Sequence, residues 1–306
     1  MPENYNFIDN NGIRLYVRHI PAKEPSGRAI ILMNSRSLCV ESSMGIPMGS
    51  LSFGDYAAGQ GVDAFLVDMR GFGMSDPIQE QVVERRRDIN DPISIEKYYS
   101  DIRSAANYVK SVLGASTEVS ILGFSFLGTL VITFGHLYPD VFKNIISLNP
   151  NWTTLSTDPD RGFDFTINDP NVPYTEVSLD KINQRLTEAQ PTGQDFREPL
   201  WYEEAADRLS KYHSTFDHGT GRWRLHKPID WKRHLDSVGD MSNIQARLLI
   251  ITSQYDIENP FWLVERIYNK INITNKELRV LPDATHLCIW ERSRQTLYKW
   301  TTEFIA

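Results

Sequence analysis

Six short, mostly apolar runs constrain this chain more than any other feature. They are Arg28–Met33, stopping at Asn34-Ser35-Arg36-Ser37; Val62–Val67, stopping at Asp68; Val119–Leu122, at Gly123; Asn144–Leu148, at Asn149-Pro150; Ala246–Ile251, at Thr252; and Glu277–Leu281, at Pro282. Continuous apolar runs of this length suit strands covered on both faces, the condition of a parallel sheet. Helical spacing fills the gaps. Tyr98, Ile102, Ala105, Ala106, Val109 and Val112-Leu113 recur on one face, and Gly114 closes that stretch. A second helical pattern runs from Leu127 to Tyr138, and a third from Trp290 to Ile305. Strands alternating with helices over short links predict an α/β chain, a mostly parallel sheet with helices on both faces. Ahead of it, Tyr5–Ile8 and Ile13–Val17 flank Asn11-Gly12, a tight-turn dipeptide that predicts a hairpin.

One stretch breaks the rhythm. From Trp152 to Met241 the sequence offers no strand pair and is rich in Asp, Pro, Trp, Tyr and His, with helical pieces near Ser178–Glu188 and Pro199–Tyr212. Long insertions between sheet elements usually cover a site. The expected organisation is a core domain of residues 1–151 and 242–306 with a mainly helical cap, 152–241, inserted between the fourth and fifth runs.

Composition removes several function classes. The 306 residues carry 32 basic and 39 acidic side chains, a net charge of −7. Nucleic acid is not expected as a partner, because phosphate binding needs a basic face. No apolar run approaches the roughly 20 residues that span a bilayer, and the N-terminus lacks the charged-then-apolar pattern of a signal peptide. The two cysteines, Cys39 and Cys288, form no disulfide framework and no zinc pair. They read as buried thiols in a reducing compartment, so the chain is expected in the cytoplasm. Oligomeric state leaves no mark in the sequence.

The segment Ile121-Leu122-Gly123-Phe124-Ser125-Phe126-Leu127-Gly128 carries the chemistry. An apolar strand enters Gly-x-Ser and leaves as a helix. A serine on such a turn projects its hydroxyl above the sheet edge, and the amide of Phe126 points toward a developing oxyanion. Two candidate partners follow. Asp256 lies 131 residues beyond Ser125, after the fifth run, and His286 lies 30 beyond Asp256, after the sixth. All three stand at C-terminal strand ends, where open α/β sheets place their sites.

In these residues the sequence resembles the α/β-hydrolase family, and the resemblance spans nearly the whole chain. Asp68-Met69-Arg70-Gly71-Phe72-Gly73-Met74-Ser75 is similar to the family's Asp-x-Arg-Gly-x-Gly-x-Ser turn, and Trp290-Glu291 to the start of its last helix. The resemblance implies acyl transfer without metal or organic cofactor. His286 would take the proton of Ser125, Ser125 would attack a carbonyl carbon, and Asp256 would hold the imidazole tautomer. The amides of Phe126 and Arg36 would form the oxyanion hole. Two departures stand out. Leu127 occupies the usual second glycine of Gly-x-Ser-x-Gly, with Gly128 one place later, which is expected to alter helix packing at the elbow. The usual His-Gly-x after the first core strand reads Asn34-Ser35-Arg36, which puts a side chain where the oxyanion loop normally has glycine.

Other candidates carry competing readings. Arg36 either faces solvent or grips a carboxylate or phosphate of the substrate. Phe124, Trp201 and Tyr202 are candidates to line the pocket, as are Trp223 and Trp231, although cap aromatics often form the cap's own core. His19, His136, His213, His218, His226 and His234 read as structural or surface groups, with no metal spacing among them. Asp68 and Arg70 read as turn-locking residues. The expected activity is hydrolysis of an ester, thioester or amide of a small to medium acyl substrate. A biosynthetic acyltransferase, a carbon–carbon bond hydrolase or lyase, and a non-catalytic binding protein remain as alternatives, since one fold hosts many chemistries.

Overall fold

A computed structural model of the chain describes residues 4–35, 38–77, 95–151, 174–226 and 241–306. Strands β1 (Tyr5–Asn10) and β2 (Ile13–Ile20) form the expected hairpin. Asn11 and Gly12 take φ of 57° and 82° at its turn, the left-handed pair that matches the twist of two-residue hairpins. The six runs become β3 (Arg28–Met33), β4 (Val62–Val67), β5 (Glu118–Phe124), β6 (Asn144–Leu148), β9 (Arg247–Ser253) and β10 (Lys276–Leu281). Together the eight strands make one sheet in the order β1-β2-β4-β3-β5-β6-β9-β10. Every pairing from β4 through β10 is parallel, and only the two pairings made by β2 are antiparallel.

The runs are apolar throughout because the sheet has a core on each face. Ala29, Ile31 and Met33 of β3 join one cluster with Ile121, Leu248 and Ile250. Ile30 and Leu32 alternate into the other, with Leu122, Phe124, Leu249 and Ile251. The first cluster is covered by helices α2 (Ile95–Leu113), α3 (Phe126–Leu137) and α6 (Phe261–Lys270), the second by α1 (Phe53–Gly59) and α7 (Arg294–Ile305). Each fully buried Leu or Ile contributes about 1.5–3 kcal/mol through removal from water. The last helical pattern is interrupted. A single 3-10 turn, Cys288–Trp290, precedes α7, and Glu291 between them turns its carboxylate back on Thr285.

The segment between β6 and β9 differs from expectation in one respect. Its helices α4 (Leu179–Ala189) and α5 (Trp201–Tyr212) fall where the periodicity places them. It also holds a strand pair, β7 (Tyr174–Ser178) with β8 (Arg222–His226), antiparallel with Val177 opposite Trp223. This insert packs on the second cluster through Val177, Leu179, Ile182, Leu186, Trp201, Leu209 and Trp223. Charge ties it down as well. Glu41, fully buried on the core, accepts from Tyr16 Oη at 2.8 Å, Arg18 Nη1 at 2.9 Å and Arg208 Nη1 of α5 at 3.0 Å.

Candidate active site

Ser125 sits between β5 and α3 with φ 57° and ψ −114°. Non-glycine residues rarely hold such a backbone outside sites that need it. Two glycines permit it. A Cβ on Gly123 would strike the backbone carbonyl of Leu127, and one on Gly128 would lie 2.9 Å from Leu148 O of β6. The helix thus approaches the sheet over Gly123 and Gly128. Leu127 turns into the first hydrophobic cluster, 2% exposed. The departure from Gly-x-Ser-x-Gly therefore leaves the elbow closely packed, because the near approach to β6 falls on residue 128.

Asp256 stands in the loop after β9 and His286 in the loop after β10. Both are buried. His286 Nδ1 donates to Asp256 Oδ2 at 2.7 Å, since a carboxylate can only accept. That leaves Nε2 as acceptor for Ser125 Oγ–H at 3.0 Å. Asp256 Oδ1 accepts from the amides of Glu258 at 2.9 Å and Asn259 at 2.8 Å, which fix the carboxylate. The ring of Phe124 lies 5.3 Å from that of His286. The amide of Phe126 belongs to the first residue of α3, at the positive end of the helix dipole.

Several residues behind this relay had no recognisable signal in the sequence. Asn149, at the end of β6, is fully buried with φ 44°. Its Nδ2 donates to Ser253 Oγ at 2.9 Å and His286 O at 3.0 Å, and its Oδ1 accepts from Ser253 N at 2.8 Å. One side chain thereby joins both loops that carry the acid and the imidazole. Glu291 accepts from Thr285 N and Thr285 Oγ1, each at 2.7 Å, and from Gln190 Nε2 at 2.9 Å. Burial pushes its carboxyl up from the usual range. Glu258 places a carboxylate oxygen 3.5 Å from His286 Nε2 and pairs with Arg185 of α4. The only hint of Glu258 in sequence is its place two residues beyond Asp256.

The remaining sequence candidates are only partly described. Arg36 and its amide fall outside the described residues, as do Trp231 and His234. Ser35 is buried without positive φ, so its side chain meets no backbone penalty there. Trp201 stacks on Trp290 at 4.9 Å and meets Tyr202 edge-on, while Tyr202 Oη donates to Asp180. These rings seal the insert against the core. Trp223 is fully buried. Asp68 accepts from the amides of Val40 at 2.8 Å and Met74 at 3.3 Å, and burial pushes its carboxyl up to about 7. Arg70 grips Asp101 at 2.6 and 2.9 Å. Both lock the turn. Among the described residues no group of three or more His, Cys, Asp and Glu side chains could hold a metal ion, and no helix is long and apolar enough to cross a membrane.

Comparison with known proteins bears on the fold and the family. No curated protein sequence matches the chain. Its fold is similar to Est1E from Butyrivibrio proteoclasticus, solved with ferulic acid bound, at TM-score 0.61 and 18% identity over 98% of this chain and 97% of that one. It is similar to a monoacylglycerol lipase from Paleococcus ferrophilus at TM-score 0.61 and 15% identity, covering 95% and 98%. It is also similar to a meta-cleavage product hydrolase from Pseudomonas fluorescens IP01 at TM-score 0.59 and 17% identity, covering 98% and 96%. Residues 50–293, from ahead of α1 to the start of α7, match the family described as serine aminopeptidase, S33. With its parallel sheet and its serine at the strand-to-helix elbow, the chain belongs to that family of α/β-hydrolases.

Proposed function

We infer that this hydrolase cleaves an ester, thioester or amide of a small to medium acyl substrate through a covalent serine intermediate. The observation that carries this reading is the continuous relay from Ser125 Oγ through both nitrogens of His286 to Asp256, at 3.0 and 2.7 Å. On attack, the bond from Ser125 Oγ to the carbonyl carbon forms as Nε2 takes the hydroxyl proton. The carbonyl electron pair moves onto oxygen, facing the amide of Phe126. Collapse expels the leaving group with the proton returned by His286, and water repeats the sequence to free the acid. The insert, packed over the second cluster beside these loops, is the cap that selects the acyl group. The two buried thiols, Cys39 and Cys288, fit the cytoplasmic placement expected from the sequence.

A fluorophosphonate probe tests the reading. It is expected to label the wild-type chain at Ser125, identified by peptide mass, and to leave Ser125→Ala unlabelled. A folded wild-type chain that resists every serine-directed probe would refute it.

A further inference from the structure

Asn34 follows the last residue of β3 and is 2% exposed, yet neither Oδ1 nor Nδ2 has a hydrogen-bond partner among the described residues. Among the described residues no other buried side-chain amide leaves both polar atoms unpaired. Such a group costs about 1–3 kcal/mol relative to one that is satisfied or absent, and native chains seldom keep one without a use.

Its location supplies the use. In the parallel pairing of β3 with β5, Met33 stands opposite Gly123. The next rung sets Asn34 level with Phe124, one residue short of Ser125. Ile30 and Leu32 face the cluster that contains Leu122 and Phe124. Asn34 continues their alternation, so its side chain leaves the chain on the face of Phe124, whose ring lies against His286. A buried primary amide therefore stands level with the residue before Ser125, where the chain leaves the first core strand.

We propose that Asn34 is a further catalytic residue, whose Nδ2–H donates to the carbonyl oxygen of the bound acyl group and to the oxyanion formed from it. This rests on the acyl-transfer reading above. Asn34 keeps its proton throughout. It contributes a donor that strengthens as charge develops on the oxygen, next to the amide of Phe126.

The proposal makes activity and stability move in opposite directions. The rate of Ser125 labelling by a fluorophosphonate and the Tm are measured for the wild type, Asn34→Ala and the isosteric Asn34→Asp. Labelling of Asn34→Ala is expected to be about 10²–10³-fold slower, with a Tm equal to or above the wild type because an unpaired amide has been removed. Asn34→Asp, which replaces the donor by an acceptor, is expected to label at least as slowly. Wild-type labelling rates in both variants would overturn the proposal alone, and so would a slowing in Asn34→Ala accompanied by a Tm several degrees lower, the mark of a structural residue. A wild type that never labels would overturn the acyl-transfer reading and this inference with it.

Discussion

At the residue scale, the chemistry proposed for Ser125, Asp256 and His286 depends on side chains that hold their loops in place. Asn149 is the strongest case, because its amide holds Ser253 and the carbonyl of His286 together. Asn149→Ala leaves His286 O and Ser253 N without these partners, at about 1–3 kcal/mol for each buried group left unpaired. Urea denaturation is expected to show that loss, and serine-probe labelling to slow as the histidine loop loosens. Unchanged stability would remove Asn149 from this role. The three relay residues are singled out in the sequence because each lies a few residues beyond an apolar run. Asn149 also ends one, but as an asparagine before proline it looked like an ordinary loop residue. Only the convergence of β6, β9 and the His286 loop gives its amide these partners.

Among the elements, α4 has the widest influence. Arg185 reaches Glu258 in the Asp256 loop, and Gln190, just past the end of α4, reaches Glu291 in the His286 loop. The side chains of Arg185 and Glu258 are 9% and 10% exposed. Removing one partner of such a pair strands the other charge, at about 3–5 kcal/mol, whereas removing both is far milder. Arg185→Ala is thus expected to destabilise the chain more than Arg185→Met combined with Glu258→Gln, as read by denaturant midpoints. Equal losses would show that the pair carries no such coupling. Both helices of the insert were legible from periodicity. The β7–β8 pair was not. Its strands lie more than 40 residues apart, and Tyr-Thr-Glu-Val-Ser and Arg-Trp-Arg-Leu-His contain no apolar run. The register sets buried Val177 opposite buried Trp223, a match that no local pattern announces.

For the molecule as a whole, pH is the informative variable. Burial lowers the pKa of His213 to about 3 from its usual 6.5. Between those values the unfolded chain binds the proton and the folded chain does not, so stability falls as pH drops below about 6.5, by up to about 1.4 kcal/mol per unit. Asp68 acts in the opposite sense. Its pKa of about 7 means the folded chain holds the proton more tightly, so its contribution grows more favourable from about pH 7 down to 4. Replacing the histidine isolates the first effect. His213→Gln is expected to flatten the acid limb of a stability–pH profile relative to the wild type, and a parallel profile would show that His213 is not its source. The parallel, doubly covered sheet was legible because six apolar runs alternate with helices. The order in which the strands lie side by side was not, since neighbours such as β6 and β9 meet across nearly a hundred intervening residues.

That adjacency has an evolutionary consequence. The chain departs from the sheet at Leu148 and returns at Arg247, the start of the strand beside it, and the Asn149 amide bonds to Ile251 O at 2.7 Å. Exit and re-entry belong to neighbouring strands that hold each other in register, so whatever is spliced between them can grow, shrink or be exchanged without moving a strand. New diets are open to such an enzyme at the cost of redrawing a loop, while the reactive serine and its partners stay where they are.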